Sequence, residues 1–250
     1  MKKRLTQNRV YAICDREVCL DKNIDTLEYC KNLIRAGVKI IQLRDKVSNE
    51  AKYWDFFYQV LGWRITQQAD TVIIANEHAK SWSRVIDTIL KVNLHKNDQN
   101  YHNHLAVEEK HQYNFGFHAG QGDLKSIDLP NFMQKKKKWG FYFGVSVHNY
   151  AEWQNIENLR QDLDYIGYGR MFTSSTKPTA LESENISTDW LAHVDFSIYF
   201  IGGITLENFN QVDSLCREIA RKEFGFAITS DLLRNGASVD DIKKYLAKVK

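Results

Sequence analysis

The sequence has 250 residues, 43% of them hydrophobic, enough to bury one sizeable core, and we expect a single domain over residues 1–250. Its 34 basic and 31 acidic residues nearly balance, which argues against a nucleic-acid-binding protein. The N-terminal MKKRLTQNRV lacks the apolar run of a secretory signal, and no later segment approaches the apolar length of a membrane span. We therefore expect a soluble, cytoplasmic protein without a nucleic-acid or membrane partner.

Eight short runs rich in β-branched and aromatic residues recur along the chain and predict strands. Longer stretches with helical spacing lie between them, at 25–36, 50–67, 150–161, 205–221 and 238–249. Alternation of short apolar runs with amphipathic helices predicts a parallel sheet covered by helices, and eight such units favour a closed (β/α)8 TIM barrel. The predicted strands are 9–14, 38–43, 71–75, 113–118, 141–147, 164–169, 196–201 and 224–228.

Two segments disturb this repeat. The connection before the fourth strand is longer than one helix requires, and we predict an insertion at residues 80–112. Its histidines would suit a metal site by type, but their spacing does not fit a compact ligand set and favours a solvated excursion. The second segment, Lys135 to Lys138, is typical of a solvated helix face or helix end. The histidines of the insertion are His95, His102, His104 and His111.

The four cysteines show no paired spacing that would suggest zinc or a redox motif. We predict reduced thiols packed in the interior of the protein, as is usual for free cysteines in a reducing compartment. They are Cys14, Cys19, Cys30 and Cys216.

Polar residues follow the second predicted strand directly. In barrels of this kind the active site lies at the C-terminal ends of the strands. Gln42, Arg44, Asp45 and Lys46 stand at that position, and an amide with two cations can bind an anion through charge-assisted hydrogen bonds. The alternative is that Asp45 forms a surface ion pair with a cation.

Carboxylates at the next strand ends suggest a divalent metal ion. Asn76 and Glu77 follow the third strand, and Asp123 lies just beyond the fourth. Magnesium prefers a few carboxylate oxygens together with phosphate oxygens of the substrate. Carboxylates on neighbouring strand ends can therefore share a Mg2+ ion, whereas one carboxylate alone would mean little.

Two further loops suit phosphate groups. The sixth strand runs into Ser174, Ser175, Thr176 and Lys177, which combine hydroxyls with a cation, although a solvated turn explains them equally well. Glycines after the seventh strand and hydroxyls after the eighth occupy the usual phosphate site of such barrels. The residues of this second predicted phosphate site are Gly202, Gly203, Thr229 and Ser230.

Six short segments at successive strand ends together carry a family resemblance. They are QLRDK at 42–46, ANE at 75–77, GFHAGQGDL at 116–124, GVSVH at 144–148, GYGRMFTSSTKP at 167–178 and IGGIT at 201–205. In this order they resemble thiamine phosphate synthases, which are related to thiazole tautomerases. Each segment is weak alone, but six in one order are a strong signal.

The resemblance implies an activity and a division of the site. The family joins a pyrimidine pyrophosphate to a thiazole phosphate by a dissociative substitution, and it uses Mg2+, here between Glu77 and Asp123. The residues implied to hold the pyrimidine and its pyrophosphate are Gln42, Arg44, Lys46, Asn76 and Lys177, with Ser146 near the reacting carbon. The residues implied to hold the thiazole phosphate are Ser174, Thr176, Gly203, Thr229 and Ser230. Arg44, Lys46, Ser146 and Lys177 are the predicted catalytic set.

Two alternatives remain open from the sequence. Thiazole tautomerases use a histidine for proton transfer, and His148 stands at a suitable position. An inactive barrel that binds thiamine precursors is the other alternative, because Glu77 replaces the Asp that the family normally has. The full set around Gln42, Arg44 and Lys46 favours the synthase, with small-molecule substrates. A homo-oligomer is compatible with the sequence.

Overall fold

Eight parallel strands close into a barrel in which every strand pairs with its sequence neighbours and β8 pairs with β1. The computed structural model describes residues 9–96, 114–172, 189–220 and 223–249, with only the backbone for 90–96. The predicted barrel and all eight strands are confirmed, with shifts of one or two residues at the ends. In chain order, β1 to β8 are Val10–Asp15, Ile40–Arg44, Val72–Ala75, Phe115–Ala119, Tyr142–Val147, Tyr165–Tyr168, Ser197–Ile201 and Phe224–Ile228.

Helices follow the strands and cover the outside of the barrel. Several begin where a side chain caps the first turn, as Asp25, Asn49, Asn149 and Ser238 do by accepting a backbone N–H. In chain order, α1 to α10 are Arg16–Asp21, Thr26–Arg35, Glu50–Thr66, Trp82–Lys96, Gln121–Leu124, Leu129–Trp139, Tyr150–Ile156, Phe209–Ile219, Ser230–Arg234 and Val239–Lys248. Short 3-10 helices span Ala79–Ser81, Glu157–Leu159 and Asp189–His193.

The predicted insertion divides into two parts. Its first half begins as the 3-10 turn Ala79–Ser81 and continues as the helix α4, whose Trp82 ring lies 4.9 Å from the ring of Phe117 in β4. Residues 97–112 lie outside the described residues, as do His102, His104 and His111. An excursion in this second half therefore stays a prediction.

The run Lys135 to Lys138 ends helix α6, but one of its lysines is not solvated. Lys136 is 6% exposed, and its Nζ donates to Asp164 Oδ2 at 2.5 Å and to the carbonyl of Phe141 at 2.8 Å. The predicted solvated face was therefore wrong for Lys136. A helix surface turns by about 100° per residue, so one of four consecutive positions faces the barrel.

All four cysteines are free and buried, as the sequence predicted. Burial raises the pKa of the Cys216 thiol to about 12, so it carries little thiolate near neutral pH. Among the helices of the described ranges, none combines the length and apolarity needed to cross a bilayer.

The inside of the barrel holds its own cluster, which is rich in tyrosine. Tyr11, Tyr165 and Tyr199 meet edge to face with ring centroids 4.9 to 5.6 Å apart. Glycine at position 144 makes room for them, because a Cβ there would lie 2.1 Å from Cζ of Tyr165. The buried members of this inner cluster are Tyr11, Ile13, Ile40, Val72, Ile74, Tyr142, Tyr165, Tyr199 and Ala227.

We expect Gly144→Ala to lower the free energy of unfolding by about 1–3 kcal/mol, because the added methyl overlaps the Tyr165 ring inside a closed barrel. Urea denaturation measures the change. Gly62→Ala in α3 is the matched control, since a Cβ there meets nothing within 4 Å. This control should stabilise the protein by about 0.5–1 kcal/mol through helix propensity. Equal stability of the Gly144 variant and the parent would contradict a filled barrel interior.

Candidate active site

The C-terminal ends of the parallel strands meet at one mouth of the barrel, and the predicted site residues stand there. Because all eight strands run in the same direction, residues that follow them are brought to the same end. Ser174, Ser175, Thr176 and Lys177 lie outside the described residues, and their roles stay predictions. The predicted residues at the described strand ends are Gln42, Arg44, Asp45, Lys46, Asn76, Glu77, Asp123, Ser146, Gly203, Thr229 and Ser230.

Arg44 at the end of β2 is held by a carboxylate that the sequence analysis did not select. Its Nη1 donates to Asp15 Oδ2, and Glu17 Oε2 lies 3.8 Å away. Asp15 is 7% exposed and also accepts the backbone N–H groups of Glu17 and Val18, so it caps α1. The orientation of Arg44 thus depends on the end of β1. An acidic residue between a strand and a helix was the sequence signal for this role.

The carboxylate of Asp45 is already hydrogen-bonded to other groups of the protein. Its Oδ2 accepts from Arg16 at 3.1 Å, and its Oδ1 accepts the backbone N–H groups of Val47 and Ser48. The ion pair that the sequence left open as an alternative therefore exists, with Asp45 buried at 1% exposure. These bonds hold the turn that carries Lys46.

Arg44 and Lys46 both act on the carboxylate of Glu77. Burial raises the pKa of Glu77, the two cations lower it, and the nearby negative charges of Asp123 and Asp45 raise it again. Lys46 itself is exposed, and no carboxylate of the described ranges lies within ion-pair distance of it. The charges of two cations and three carboxylates thus influence one another at the mouth of the barrel.

The residues around Glu77 fit a divalent cation. Glu77 Oε1 is buried and has no hydrogen-bond partner in the described part of the chain. A buried carboxylate oxygen without a donor is a favourable ligand for a cation, since the cation removes the cost of its burial. No group of three or more His, Cys, Asp or Glu side chains within the described ranges can hold a metal ion. Glu77 and Asp123 would therefore need oxygens from substrate and water to complete the coordination.

The amide and hydroxyl groups of the site are held by specific partners. Asn76 Nδ2 donates to the carbonyl of His118 at 3.0 Å, and Gln42 Nε2 donates to the hydroxyl of Tyr11 at 3.0 Å. The hydroxyl of Ser146 lies 2.8 Å from Nε2 of His118. Each of these polar groups is thus oriented by a neighbouring strand before any ligand binds.

His118 in β4 is a second residue that the sequence analysis did not select for the site. It is 7% exposed, and its ring joins Ser146 to the hydroxyl of Tyr165, which lies 3.1 Å from Nδ1. Burial lowers the pKa of His118 to about 4, so the ring is neutral near pH 7. The sequence signal was its place at a strand end inside the segment GFHAGQGDL.

The loops after β7 and β8 form a joined surface. Gly202 and Gly203 have φ of +106° and +63°, a region that favours glycine. The carbonyl of Gly203 accepts from Asn208 Nδ2 at 2.8 Å. Asp231 in α9 accepts the backbone N–H of Leu206 at 2.9 Å, and this bond ties the two loops together. Thr229 and Ser230 precede Asp231 on the same surface.

His148, the residue on which a tautomerase would depend, is engaged elsewhere. Its Nδ1 lies 2.8 Å from Oε2 of Glu152, one turn along at the start of α7. The side chain is 51% exposed. It therefore stands at the rim of the barrel, paired with a surface carboxylate.

Comparison with known proteins finds similarity to thiamine-phosphate synthases in sequence and in fold. The sequence model of a family described as thiamine monophosphate synthase matches residues 100–220. A thiamine-phosphate synthase of Lawsonia intracellularis is 25% identical over 205 residues, which cover 81% of this chain and 77% of that protein. A thiamine-phosphate synthase of Halalkalibacterium halodurans is 28% identical over 208 residues, covering 82% and 80%. The chain is thus similar to thiamine-phosphate synthases over about four fifths of its length.

A solved structure extends this family likeness to the fold. The thiamine phosphate pyrophosphorylase from Pyrococcus furiosus superposes with a TM-score of 0.60 over 98% of this chain and 95% of the other. Its sequence identity is 16%, so the likeness concerns the barrel alone.

Proposed function

We propose that the protein condenses a hydroxymethylpyrimidine pyrophosphate with a thiazole phosphate to form thiamine phosphate and pyrophosphate. The observation that carries this proposal is the meeting of Arg44 and Lys46 with Glu77 and Asp123 at one mouth of the barrel. A leaving pyrophosphate bears several negative charges and needs such a cationic environment. The similarity to proteins named thiamine-phosphate synthase supports the same reaction.

The pyrimidine end of the site consists of residues whose polar groups are already oriented. Gln42 and Asn76 offer amide groups to the ring, and Ser146 offers a hydroxyl near the reacting carbon. Arg44 and Lys46 contact the pyrophosphate, and the sequence assigns Lys177 to the same task. Arg44 supplies a planar set of donors, while Lys46 supplies a mobile point charge.

The thiazole phosphate occupies the other side of the mouth. The glycine pair after β7 allows backbone N–H groups to approach an oxyanion closely, and Thr229 and Ser230 add hydroxyls. The sequence analysis assigns Ser174, Ser175 and Thr176 to the same phosphate site. The two substrates are thus held on opposite sides of one opening, which gives them a high effective concentration.

The reaction breaks the bond between the pyrimidine methylene carbon and the bridging oxygen, and the electron pair leaves with pyrophosphate. The thiazole nitrogen then donates its lone pair to the methylene cation and forms the new C–N bond. No side chain acts as a nucleophile. Arg44 and Lys46 stabilise the negative charge on the leaving group, a contribution of several kcal/mol for preorganised cations.

Glu77 and Asp123 are the residues that would hold Mg2+ in this reaction. When bound, the ion neutralises charge on the pyrophosphate oxygens. The buried Oε1 of Glu77, which lacks a partner among the described residues, supports this assignment. Two carboxylates leave room for pyrophosphate oxygens and water, the arrangement that magnesium prefers.

A thiazole tautomerase is the second candidate on the same barrel. It would place His148 against the thiazole, whereas His148 is half exposed and paired with Glu152. A tautomerase also has no use for the cations and amides around Gln42. An inactive barrel that binds thiamine precursors would keep those residues and lack turnover, which makes activity the deciding observation.

Incubation of the protein with pyrimidine pyrophosphate, thiazole phosphate and Mg2+ tests the proposal. We expect thiamine phosphate and pyrophosphate in equal amounts, detected by chromatography. Conversion of a thiazole tautomer without pyrimidine would favour the tautomerase. Binding of both substrates without product would indicate the inactive barrel.

We expect Glu77→Gln to raise the Mg2+ concentration for half-maximal rate by about 10- to 100-fold, because the amide retains one neutral oxygen and loses the charge. A magnesium titration at saturating substrates measures the shift. Glu152→Gln is the matched control, since Glu152 lies at the rim and binds His148. An unchanged titration for Glu77→Gln would remove this residue from the metal site.

We also propose that the protein is cytoplasmic and that it can form a homo-oligomer. The four thiols are free and buried, which suits a reducing compartment. Sedimentation of the purified protein would measure its oligomeric state.

A further inference from the structure

A chain of hydrogen bonds crosses the interior of the barrel and ends at two residues of the site. Gln42 Nε2 donates to the hydroxyl of Tyr11 at 3.0 Å. The hydroxyls of Tyr11 and Tyr165 lie 2.9 Å apart, and that of Tyr165 lies 3.1 Å from Nδ1 of His118. Nε2 of His118 lies 2.8 Å from the hydroxyl of Ser146. Five strands contribute one residue each to this chain.

The chain is enclosed by the barrel. Tyr11 is 2% exposed and Tyr165 is fully buried. Gly144 provides the space for the Tyr165 ring, and a Cβ at Gly167 would lie 3.2 Å from Cε1 of His118. The rings therefore cannot turn away from one another without a change in the barrel.

Neutral groups in such a chain must each donate one hydrogen bond and accept another. The imidazole of His118 is neutral in this buried position, with one N–H and one bare nitrogen. Burial likewise raises the pKa values of Tyr11 and Tyr165, so both phenols keep their protons. With Tyr11, Tyr165 and His118 all neutral, the chain can still differ in the direction of its hydrogen bonds.

The amide of Gln42 selects that direction. Because Nε2 of Gln42 can only donate, the hydroxyl of Tyr11 accepts from it and keeps its own hydrogen available for the hydroxyl of Tyr165. In this direction Tyr165 donates to Nδ1 of His118, and the imidazole proton sits on Nε2. Nε2–H donates to Ser146, and the hydroxyl hydrogen of Ser146 is left for another acceptor.

We propose that His118 is a positioning residue for this reaction, which holds Ser146 as a hydrogen-bond donor directed at the substrate. The identity of the substrate atom that accepts the hydrogen bond from Ser146 rests on the proposed synthase function. That acceptor is the oxygen that leaves the reacting carbon, where negative charge develops. The opposite end of the chain leaves Oε1 of Gln42 as an acceptor, which suits the amino group of an aminopyrimidine and rejects a ring carbonyl.

The first test reads the tautomer of His118 directly and needs no activity. Two-dimensional NMR of the 15N-labelled protein near pH 7 should show a bare Nδ1 and a protonated Nε2 for this ring. A proton on Nδ1 would reverse the chain and overturn the proposal, even if the protein makes thiamine phosphate. Absence of synthase activity together with the expected tautomer would count against the proposed function alone.

The second test is a double-mutant cycle on product formation. His118→Phe should lower kcat by about 10- to 100-fold with little change in KM, because Ser146 loses its fixed orientation. Tyr165→Phe should have a smaller effect in the same direction, since Nδ1 loses only its donor. In a Ser146→Ala background, His118→Phe should change kcat by less than about twofold, as expected for residues that act through one another.

The matched control is Tyr199→Phe, which also removes one phenol hydroxyl from the inner cluster. The Tyr199 hydroxyl is buried and has no hydrogen-bond partner among the described residues. Its removal should leave kcat unchanged, and thermal unfolding of each variant identifies losses due to folding. The proposal would be overturned if the losses in kcat from His118→Phe and Ser146→Ala were additive. A loss in kcat from Tyr199→Phe as large as that from His118→Phe would overturn it as well.

Discussion

Replacing Lys46 by Gln should lower kcat for thiamine phosphate formation by about 100- to 1,000-fold, the usual cost of losing one preorganised group that stabilises transition-state charge. Lys46 is exposed and lies near Glu77, and no described carboxylate pairs with it. Its charge is therefore available to the leaving pyrophosphate. Steady-state kinetics with both substrates saturating measures the loss.

The same substitution should leave folding and thiazole binding nearly intact. An exposed lysine that pairs with no described carboxylate contributes little to stability, so the free energy of unfolding should change by less than about 0.5 kcal/mol. The dissociation constant of thiazole phosphate should change far less than kcat, since the proposed thiazole phosphate site lies on the other side of the mouth. Lys52→Gln on α3 is the matched control, and its kcat should match the parent. Equal losses in kcat and thiazole binding would place Lys46 outside the pyrophosphate subsite.

Arg44→Ala should reduce both activity and stability. The loss in kcat should again be about 100- to 1,000-fold, because in the proposed reaction Arg44 and Lys46 stabilise the same leaving group. Arg44 also pairs with Asp15, which is 7% exposed. Asp15 would keep only its backbone donors, and the free energy of unfolding should fall by about 1–3 kcal/mol. Urea denaturation and steady-state kinetics measure the two effects.

Two comparison variants separate these contributions. Arg35→Ala breaks a pair of the same chemistry, with Glu28 on the surface, and should cost less than about 1 kcal/mol. Arg44→Lys keeps the charge but loses the planar donor group. Its kcat should therefore lie between the kcat of Arg44→Ala and that of the parent protein. A full retention of kcat in Arg44→Ala would exclude Arg44 from the reaction.

Most of the barrel could be predicted from local pattern. The apolar runs that form β2 and β3 are too short for helices, and their buried faces are continuous, as in parallel sheets. Helix α4 was assigned to an insertion because its polar composition hid the spacing of Val85, Ile86 and Ile89, which are buried. Lys136 was misjudged for a related reason, since one-dimensional charge runs do not indicate which residue faces a buried carboxylate.

The positions of Arg44, Lys46, Asn76 and Glu77 at the mouth could be derived from the sequence, because a strand end determines where the next residues lie. The partners that orient them could not. Asp15 meets Arg44 across 29 residues, and His118 meets Tyr165 across 47. Such pairs depend on which strands become neighbours and on their register.

The sequence alone determined the repeat of strand and helix, the direction of the strands and hence the end at which the chemistry lies. These follow from hydrophobic period and segment length, which are local properties. Closure of the barrel decided the rest: it enclosed the hydroxyls of Tyr11 and Tyr165, neutralised His118 by burial and oriented Ser146. Hydrogen bonds between distant strands and the loss of water around them arise only when the chain is folded.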